Sequence, residues 1–422
     1  MGYYETEYWL NDSWGESRRE RQSGVYHPYS PDLITRKEFS FSAATLDAVA
    51  EAHARIAELG ATGSRTESIA RILLRSEALS SSRIEGLELP VAKLLEAEEL
   101  RRMGVAQNPD SVAALVLGNT DTMLEAIRVG VSSNTIGVDT IRHMHKLLLH
   151  GTKAEAIGGV VRTTQNWIGG NRTNPIGAAY VPPQPHKVPA LLEDLTEFCN
   201  TTEYPAVIKA AIAHAQFETI HPFSDGNGRT GRALIHVLAG SRGEVPPISL
   251  VLMADRERYI EHLAAYRSDG DDHGHSAVDS WVEYFAQALV SACARVMVLD
   301  DILNNVREQW YSRISFRRGS AGERILQVLT SNPVITIARA VELTGASSEA
   351  CRLAIKRLAE AGILVQNAKN RKSDLYVARE VVDALTSFER ASSTREGNTL
   401  DERPSAHVPQ KARRKVELPR LD

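Results

Sequence analysis

The chain has few of the features that mark disulfide-stapled, membrane-spanning or strongly basic proteins. Its 422 residues include three cysteines, which are far apart and lack the spacing of metal ligands: Cys199, Cys293 and Cys351. They indicate inert thiols in a reduced, cytoplasmic setting. No apolar run approaches membrane-spanning length and the N-terminus has no apolar signal core, so we expect no membrane partner. The net charge of −4 gives no global attraction to nucleic acid.

Helical periodicity is abundant, and changes in the pattern divide the chain into five predicted segments. A polar, extended arm occupies 1–40, a helical region 41–110 and a helical core 111–310. The spacing of apolar residues in 316–386 predicts three short helices and a hairpin, an order that resembles a winged helix-turn-helix. The polar, charged tail 387–422 is predicted to be disordered.

The string "HPFSDGNGRTGR", residues 221–232, is predicted to be a loop followed by the start of a helix. It contains a histidine, an aspartate, an asparagine, two arginines and three glycines. Glycines admit a ligand close to the backbone, and the first N–H groups of a helix form an anion site. Arg229 and Arg232 add charges suited to phosphate, while Asp225 needs a cation such as Mg²⁺ beside it. His221 can accept a proton near neutral pH. A glycine-rich connecting loop explains "GNG" but not the whole string, which predicts a phosphoryl- or nucleotidyl-transfer site.

This string resembles the signature of the Fic family, His-x-Phe-x-Asp/Glu-Gly-Asn-Gly-Arg-x-x-Arg. The segments "RTTQNWIGG", "YVPPQPHKV" and "SGVYHPYSPDLI" are also similar to Fic proteins. The resemblance implies a helical fold and transfer of AMP from ATP to a protein Ser, Thr or Tyr hydroxyl, with pyrophosphate released. It implies that His221 is the general base and that Asp225 holds Mg²⁺. The implied phosphate-binding residues are Gly226, Asn227, Gly228, Arg229 and Arg232.

A second string, "SSSRIEG", resembles the inhibitory helix motif of the same family. Ser81 and Glu85 are four residues apart and share one helix face, and Gly86 suits a helix end. In an arbitrary protein this would be a solvated helix terminus. The resemblance implies instead that Glu85 pairs with Arg232 and prevents productive binding of ATP, because the arginine cannot also bind the γ-phosphate.

Three further features admit a functional and a structural interpretation. Trp167 and Ile168, in a predicted β-hairpin flap, could hold an extended target by strand addition or form a plain surface hairpin. Tyr259 resembles a family position near the adenine, although core packing explains it almost as well. The C-terminal segment carries basic residues that suit contacts with DNA phosphates: Arg352, Lys356 and Arg357 on its third helix, and Lys369, Arg371 and Lys372 on the wing. The segment could equally serve dimerisation or target docking.

These observations predict a mainly α protein with a Fic-type helical core, a small flap and a C-terminal winged-helix domain. Its predicted activity is Mg²⁺-dependent protein adenylylation restrained by Glu85. ATP and a protein with a hydroxyl side chain are the expected partners; self-modification, a homodimer and a DNA or protein contact through the winged helix are further possibilities. The alternatives are removal of AMP from a target, transfer of another phosphate-containing group, and a nucleotide-sensing DNA-binding regulator.

Overall fold

The computed structural model describes residues 1–10, 17, 20–61, 66–132, 135–239, 246–268, 277–366 and 375–392. The chain is mainly helical. The helices that precede the C-terminal segment are α1 (Ala43–Ala61), α2 (Thr66–Ile84), α3 (Val91–Arg102), α4 (Val112–Ser132), α5 (Val138–Leu149), α6 (Val188–Asn200), α7 (Ala206–Ile220), α8 (Asn227–Ala239), α9 (Ile248–Ala254), α10 (Arg256–Arg267) and α11 (Ala277–Arg313).

Helices α7 and α8 pack against each other at the centre of the molecule and carry the motif between them. The sequence of α7, "AVIKAAIAHAQFETI", is rich in alanine, which lets neighbouring helices approach closely and leaves most of the helix buried. Every residue of α8 is buried, including Asn227, Arg229 and Arg232. Burying such polar groups costs free energy unless they bind something. The N-terminus of α8 is therefore a candidate binding site.

The N-terminal arm forms two short antiparallel ladders that the sequence did not predict. Strand β1 (Gly2–Tyr4) pairs with β4 (Tyr29–Pro31), and β2 (Glu7–Trp9) pairs with β3 (Gly24–Tyr26). The arm lies against the segment between α5 and α6: Trp9 packs edge-on against Trp167, with ring centroids 5.6 Å apart.

The predicted flap hairpin is reduced to one antiparallel bridge, between Ile168 and Tyr180. The Ile168 amide donates to the Tyr180 carbonyl at 2.8 Å, and the Tyr180 amide donates back at 3.2 Å. Gly169 and Gly170 follow Ile168 with φ of 76° at both, which turns the chain away from a longer ladder.

The C-terminal segment combines helices with a small sheet. Its elements are α12 (Ala321–Leu329), β5 (Val334–Ile335), α13 (Ile337–Thr344), α14 (Ser348–Glu360), β6 (Val365–Gln366), β7 (Tyr376–Val377) and α15 (Arg379–Ser392). The strands form an antiparallel sheet in the order β5-β7-β6. Side chains of Ser320, Thr336 and Ser347 cap α12, α13 and α14.

Two features of this segment differ from the prediction. Strand β5 stands between the first and second helices, where no strand was expected. Helix α15 continues through 387–392, which were predicted as disordered tail, because Phe388 and Glu389 are buried on its inner face. The rest of the predicted tail, 393–422, lies outside the described residues.

Helix α11 has the length and composition of a membrane span, with a mean hydropathy of 1.4 over its most apolar window. In this structure 56% of that window is buried inside the molecule, where α11 packs against α1, α7 and α10. A buried core helix passes the same test, so this feature gives only weak evidence for a membrane.

Two hydrophobic cores meet along α2. Leu74 and Ala78 of α2 belong to the core around α7 and α8. Ile72 and Leu79 of the same helix belong to a second core, which continues through α12, α14 and α15. The predicted boundary near residue 316 therefore does not separate the hydrophobic cores.

Candidate active site

The site begins where α7 ends. His221 caps that helix in a left-handed conformation, with φ 49° and ψ 59°, and its amide donates to the Phe217 carbonyl at 2.9 Å. It is the one non-glycine residue with positive φ in the described part of the chain. This conformation is costly for a residue with a Cβ and is found disproportionately at functional sites.

The loop after His221 is fixed from both sides. The Asn227 amide side chain accepts from the Phe223 amide and donates to the Phe223 carbonyl, both at 2.8 Å. The Phe223 ring is buried and stacks on His145 with centroids 3.7 Å apart. Asn227 thus holds the loop with its side chain, so its contribution to an anion site comes from its backbone.

His145 completes this support from α5. Its Nδ1 accepts from the Gly159 amide at 2.9 Å, so in the neutral ring Nε2 carries the proton and donates to the Asp225 carbonyl at 2.9 Å. Burial lowers the pKa of His145 to about 4, which keeps the ring neutral at pH 7. The two hydrogen bonds of His145 therefore persist at pH 7.

The N-terminus of α8 leaves room only for small residues. Gly226 has φ 76°, and a Cβ there would lie 2.8 Å from Leu148. At Gly228 a Cβ would lie 2.0 Å from Glu85 Oε1. The carboxylate of Glu85 therefore rests directly over the helix terminus, which attracts anions through its free N–H groups and its dipole.

Arg229 is buried next to this terminus and has spare donor capacity. Its Nη2 lies 3.7 Å from Asp225 Oδ1. Its Nε and Nη1 are buried and have no hydrogen-bond partner among the described residues. Buried donors without a partner are rare and costly, and phosphate oxygens would satisfy them.

Arg232 is 1% exposed and is held by α2 and the residue that follows it. Its Nε donates to Ser81 Oγ at 2.9 Å, and its Nη2 donates to the Ser81 carbonyl and to Glu85 Oε1, both at 2.8 Å. Gly86, with φ 79°, ends the helix, and the Arg256 Nε donates to the Ile84 carbonyl at 2.9 Å. The predicted pairing of Glu85 with Arg232 is thus present in the structure.

The charges around the motif set the ionisation of its groups. Burial opposes ionisation of Glu85, but the Arg232 guanidinium, with Arg229 and His221, holds its pKa below the ordinary value. Burial, assisted by Arg162, lowers the pKa of His221 to about 4. At pH 7 the site therefore contains a carboxylate over the anion site and a neutral imidazole beside it.

Asp225 could hold a metal ion together with phosphate oxygens. No group of three or more His, Cys, Asp or Glu side chains suited to a metal occurs in the ranges that the structure describes. Asp225 is 60% exposed, and its Oδ1 accepts from the Gly226 amide at 2.6 Å. A single accessible carboxylate fits Mg²⁺, which commonly keeps several waters and binds through one or two carboxylates and substrate phosphates.

The weaker predictions have different outcomes. Trp167 packs on Trp9 and donates its Nε1 proton to the Asn171 carbonyl, while the neighbouring Ile168 is exposed at the flap. Tyr259, predicted as an adenine contact, is 2% exposed and its hydroxyl is 2.8 Å from His214 Nε2. Tyr259 thus packs against α7, and its predicted contact with adenine stays a prediction.

Three residues at the site were missed. Arg162 and His145 contact the loop through backbone carbonyls, and Glu218 is partly buried beside Gly231, where a Cβ would lie 2.7 Å from its buried Oε1. Burial raises the pKa of Glu218 to about 7. A single carboxylate on the otherwise uncharged last turn of α7 was the available signal for Glu218. Arg162 and His145 had no signal in spacing.

Comparisons with known proteins show which family and which proteins the chain resembles. Residues 135–239 match the Fic/DOC family. "Protein adenylyltransferase fic-1" of Caenorhabditis elegans is 35% identical over 133 residues, which are 31% of this chain and 24% of the relative. "Protein adenylyltransferase Fic" of Aedes aegypti is 33% identical over 117 residues, which are 27% of this chain and 21% of the relative. The chain thus matches about a quarter of the length of these curated relatives.

A solved structure supports the fold. The Fic family protein from Desulfovibrio desulfuricans G20 superposes with a TM-score of 0.51 at 19% identity, covering 81% of this chain and 97% of that one. At this identity the likeness concerns the fold alone. It confirms the prediction of a mainly α protein with a Fic-type helical core.

Proposed function

From the match of residues 135–239 to the Fic/DOC family, we propose that the chain is a protein adenylyltransferase restrained by Glu85. It transfers AMP from ATP to a Ser, Thr or Tyr hydroxyl of a protein. The observation that carries this proposal is the combination at the start of α8: a neutral histidine, buried arginine donors without a protein partner, and a helix N-terminus.

In this mechanism the target hydroxyl oxygen attacks the α-phosphorus of ATP. The bond between the α-phosphorus and the oxygen that bridges to the β-phosphorus breaks, and pyrophosphate leaves. The imidazole of His221 takes the hydroxyl proton. Arg229 and the backbone of residues 226–228 stabilise the charge on the phosphates, which is the main catalytic contribution in phosphoryl chemistry.

Asp225 would hold Mg²⁺ in this reaction. When bound, the ion neutralises phosphate charge and helps to orient the triphosphate. The residues of the chain bind and orient the nucleotide, while His221 moves the proton.

The restraint follows from where Glu85 lies. Its carboxylate covers Gly228 and binds Arg232, so it occupies the place at which the γ-phosphate would meet that arginine. A negative charge there also repels the triphosphate, more strongly than in water because the surroundings are partly buried. ATP would bind with its α-phosphate turned away from the hydroxyl.

Mass spectrometry after incubation with Mg-ATP tests the activity. The Glu85→Gly variant should acquire AMP on itself or on an added target, and Glu85→Gly with His221→Ala should not. If neither variant modifies any protein while both bind ATP, the proposal fails.

Two alternative functions remain worth testing. Glu85 lies close enough to His221 to act on its charge, which is compatible with removal of AMP; incubating adenylylated protein with the wild type would reveal it. The C-terminal segment has the element order of a winged helix and exposes Arg352 and Lys356 on α14. A gel-shift assay would reveal DNA binding by that surface. Lys369, Arg371 and Lys372, predicted to assist, lie outside the described residues.

A further inference from the structure

A buried arginine clamps the C-terminal end of α7. Arg162, 3% exposed, donates from Nε to the His221 carbonyl at 2.8 Å and from Nη2 to the Ile220 carbonyl at 3.3 Å. Nη2 also donates to the Pro183 carbonyl at 2.5 Å. The last carbonyls of a helix have no partners inside it, and a cation there also interacts favourably with the helix dipole.

The residue under this clamp is the strained one. His221 has a left-handed backbone, which persists only where surrounding contacts impose it. Two more side chains of the flap region assist: Asn166 Nδ2 donates to the His221 carbonyl at 3.4 Å, and the Tyr180 hydroxyl donates to the Thr219 carbonyl at 2.6 Å. Arg162 is the charged member of this set and bonds two consecutive carbonyls.

We propose that Arg162 is a positioning residue, which fixes the backbone of His221 so that the imidazole reaches the target hydroxyl. This inference rests on the proposed function, because it assigns His221 the role of base. Arg162 binds main-chain carbonyls and takes no part in the anion site.

The charge of Arg162 also acts on the imidazole. After burial, Arg162 is the largest influence that lowers the pKa of His221. Arg267 acts in the same direction, whereas Glu85 and a hydrogen bond with the Glu218 backbone act against it. Loss of the Arg162 charge should therefore raise the pKa of His221 towards the ordinary value of 6.5.

The experiment uses the full-length chain with Glu85→Gly. Arg162→Lys keeps the positive charge but loses the planar guanidinium, which donates to several carbonyls at once. We expect kcat to fall about 10- to 100-fold, while the Kd for Mg-ATP changes less than about twofold. Arg324→Lys is the matched control: Arg324 Nη1 also donates to a main-chain carbonyl, that of Thr344 at 2.9 Å, but in the C-terminal segment. It should leave kcat unchanged.

A second readout does not depend on activity. In Arg162→Met, NMR titration of the His221 ring should give a pKa raised from that of the parent. An unchanged kcat in Arg162→Lys, or an equal loss of kcat and of ATP binding, would overturn the proposal. If the Glu85→Gly parent itself transfers no AMP, the proposed function has failed, and the titration still decides whether Arg162 acts on His221. If Arg162→Met does not fold, the division between kcat and Kd in Arg162→Lys decides.

A separate observation concerns the outer side of α2. Arg83 Nη2 donates to Glu389 Oε2 of α15 at 2.7 Å, and Arg75 Nη1 donates to the Ser331 carbonyl after α12 at 2.7 Å. Glu389 is 4% exposed; its burial raises its pKa, and Arg83 opposes that rise. The second core also joins α2 to the C-terminal segment.

These contacts lie opposite those that block the site. Arg83 stands two residues before Glu85, in the last turn of α2, while Ser81 and Glu85 bind Arg232. We infer that the C-terminal segment holds the inhibitory helix in place and that displacement of α15 releases Glu85 from Arg232. This inference also rests on the proposed function.

Full-length Glu389→Gln tests this coupling. Removing one charge of a buried pair is strongly destabilising, so self-adenylylation should rise about tenfold over the wild type. Backbone amides of residues 78–86 should exchange hydrogen faster. Glu380→Gln is the matched control, since Glu380 lies on the same helix but pairs with Arg313 of α11. It should behave as the wild type.

Combination with Glu85→Gly separates the outcomes. The double variant, Glu85→Gly with Glu389→Gln, should label no faster than Glu85→Gly, because the inhibitory carboxylate is already absent. Wild-type labelling and wild-type exchange in Glu389→Gln, with strong labelling in Glu85→Gly, would overturn the coupling. If Glu85→Gly does not label either, the proposed function is at fault, and the exchange rates still test the contact.

Discussion

At the scale of single residues, His221 is the proposed proton acceptor. His221→Ala in the Glu85→Gly background should lower AMP transfer by about 100- to 10,000-fold, the usual cost of losing a general base. ATP binding should persist, because the phosphates are held by Arg229 and the start of α8. Transfer of label from ATP measures the AMP transfer, and calorimetry measures the ATP binding. Transfer by the folded double variant at the rate of its parent would show that His221 is not the base.

The lowered pKa of His221 gives a prediction for pH. A histidine is an active base only when neutral, so activity is lost as pH falls through its pKa. For an ordinary histidine, kcat/KM would fall about tenfold by about pH 5.5. Here the pKa is about 4, and Glu85→Gly removes a carboxylate that raises it. We expect kcat/KM of that variant to stay nearly constant from about pH 7 to about pH 5.5. A clear acid limb near 6.5 would contradict the assignment.

The motif residues could be predicted because their chemistry is concentrated in twelve consecutive positions. The role of Arg162 could not be predicted, because it binds the main-chain carbonyls of Ile220 and His221. Every residue has such a carbonyl, so the contact cannot be recognised from the sequence. The role of Tyr259 could not be decided from the sequence for a related reason: a tyrosine on a half-apolar helix suits either a pocket or the core. Only packing decides between them.

At the scale of elements, Arg232 of α8 joins this helix to the end of α2, where Ser81 and Glu85 bind it. Glu85→Gly frees this arginine for phosphate, and adding Arg232→Ala removes it again. The double variant should therefore transfer AMP much more slowly than Glu85→Gly, with a raised KM for ATP. Steady-state kinetics at saturating Mg²⁺ would show this. Equal kcat/KM in the two variants would mean that Arg232 does not position the triphosphate.

The longer elements were predictable and the short ones were not. Helices such as α7 and α14 repeat their apolar residues over several turns. Strand β5 has two residues and the arm strands have three each, too few for a period to emerge. The flap was expected as a hairpin because its composition is β-like, but paired glycines confine it to one bridge.

At the scale of the whole molecule, the C-terminal segment is part of the second core. Ending the chain at residue 315 would expose the apolar residues of α2 that face this core. We expect a lowered melting temperature and faster hydrogen exchange in α2, because buried apolar area is lost. Differential scanning calorimetry and exchange on the truncated chain test this. A truncated protein with wild-type stability would show that the two cores are independent.

Contacts between distant segments were the part of the fold that the sequence did not predict. The boundary near residue 316 was predicted from a change in the spacing of apolar residues. It carries no information on whether the new helices share a core with earlier ones. Here they do, through Ile72 and Leu79 of α2.

The central claim is that Glu85 restrains an otherwise complete adenylyltransferase site. Wild type and Glu85→Gly should be compared for incorporation of AMP from labelled ATP at saturating Mg-ATP, with both proteins shown to be folded. Glu85 follows the last residue of α2, so replacing it by glycine should cost less than the roughly 1 kcal/mol that glycine costs in a helix interior, and damage should not mask activation. We predict little labelling of the wild type and a large rise in the variant. Equal labelling of the two proteins would contradict the account.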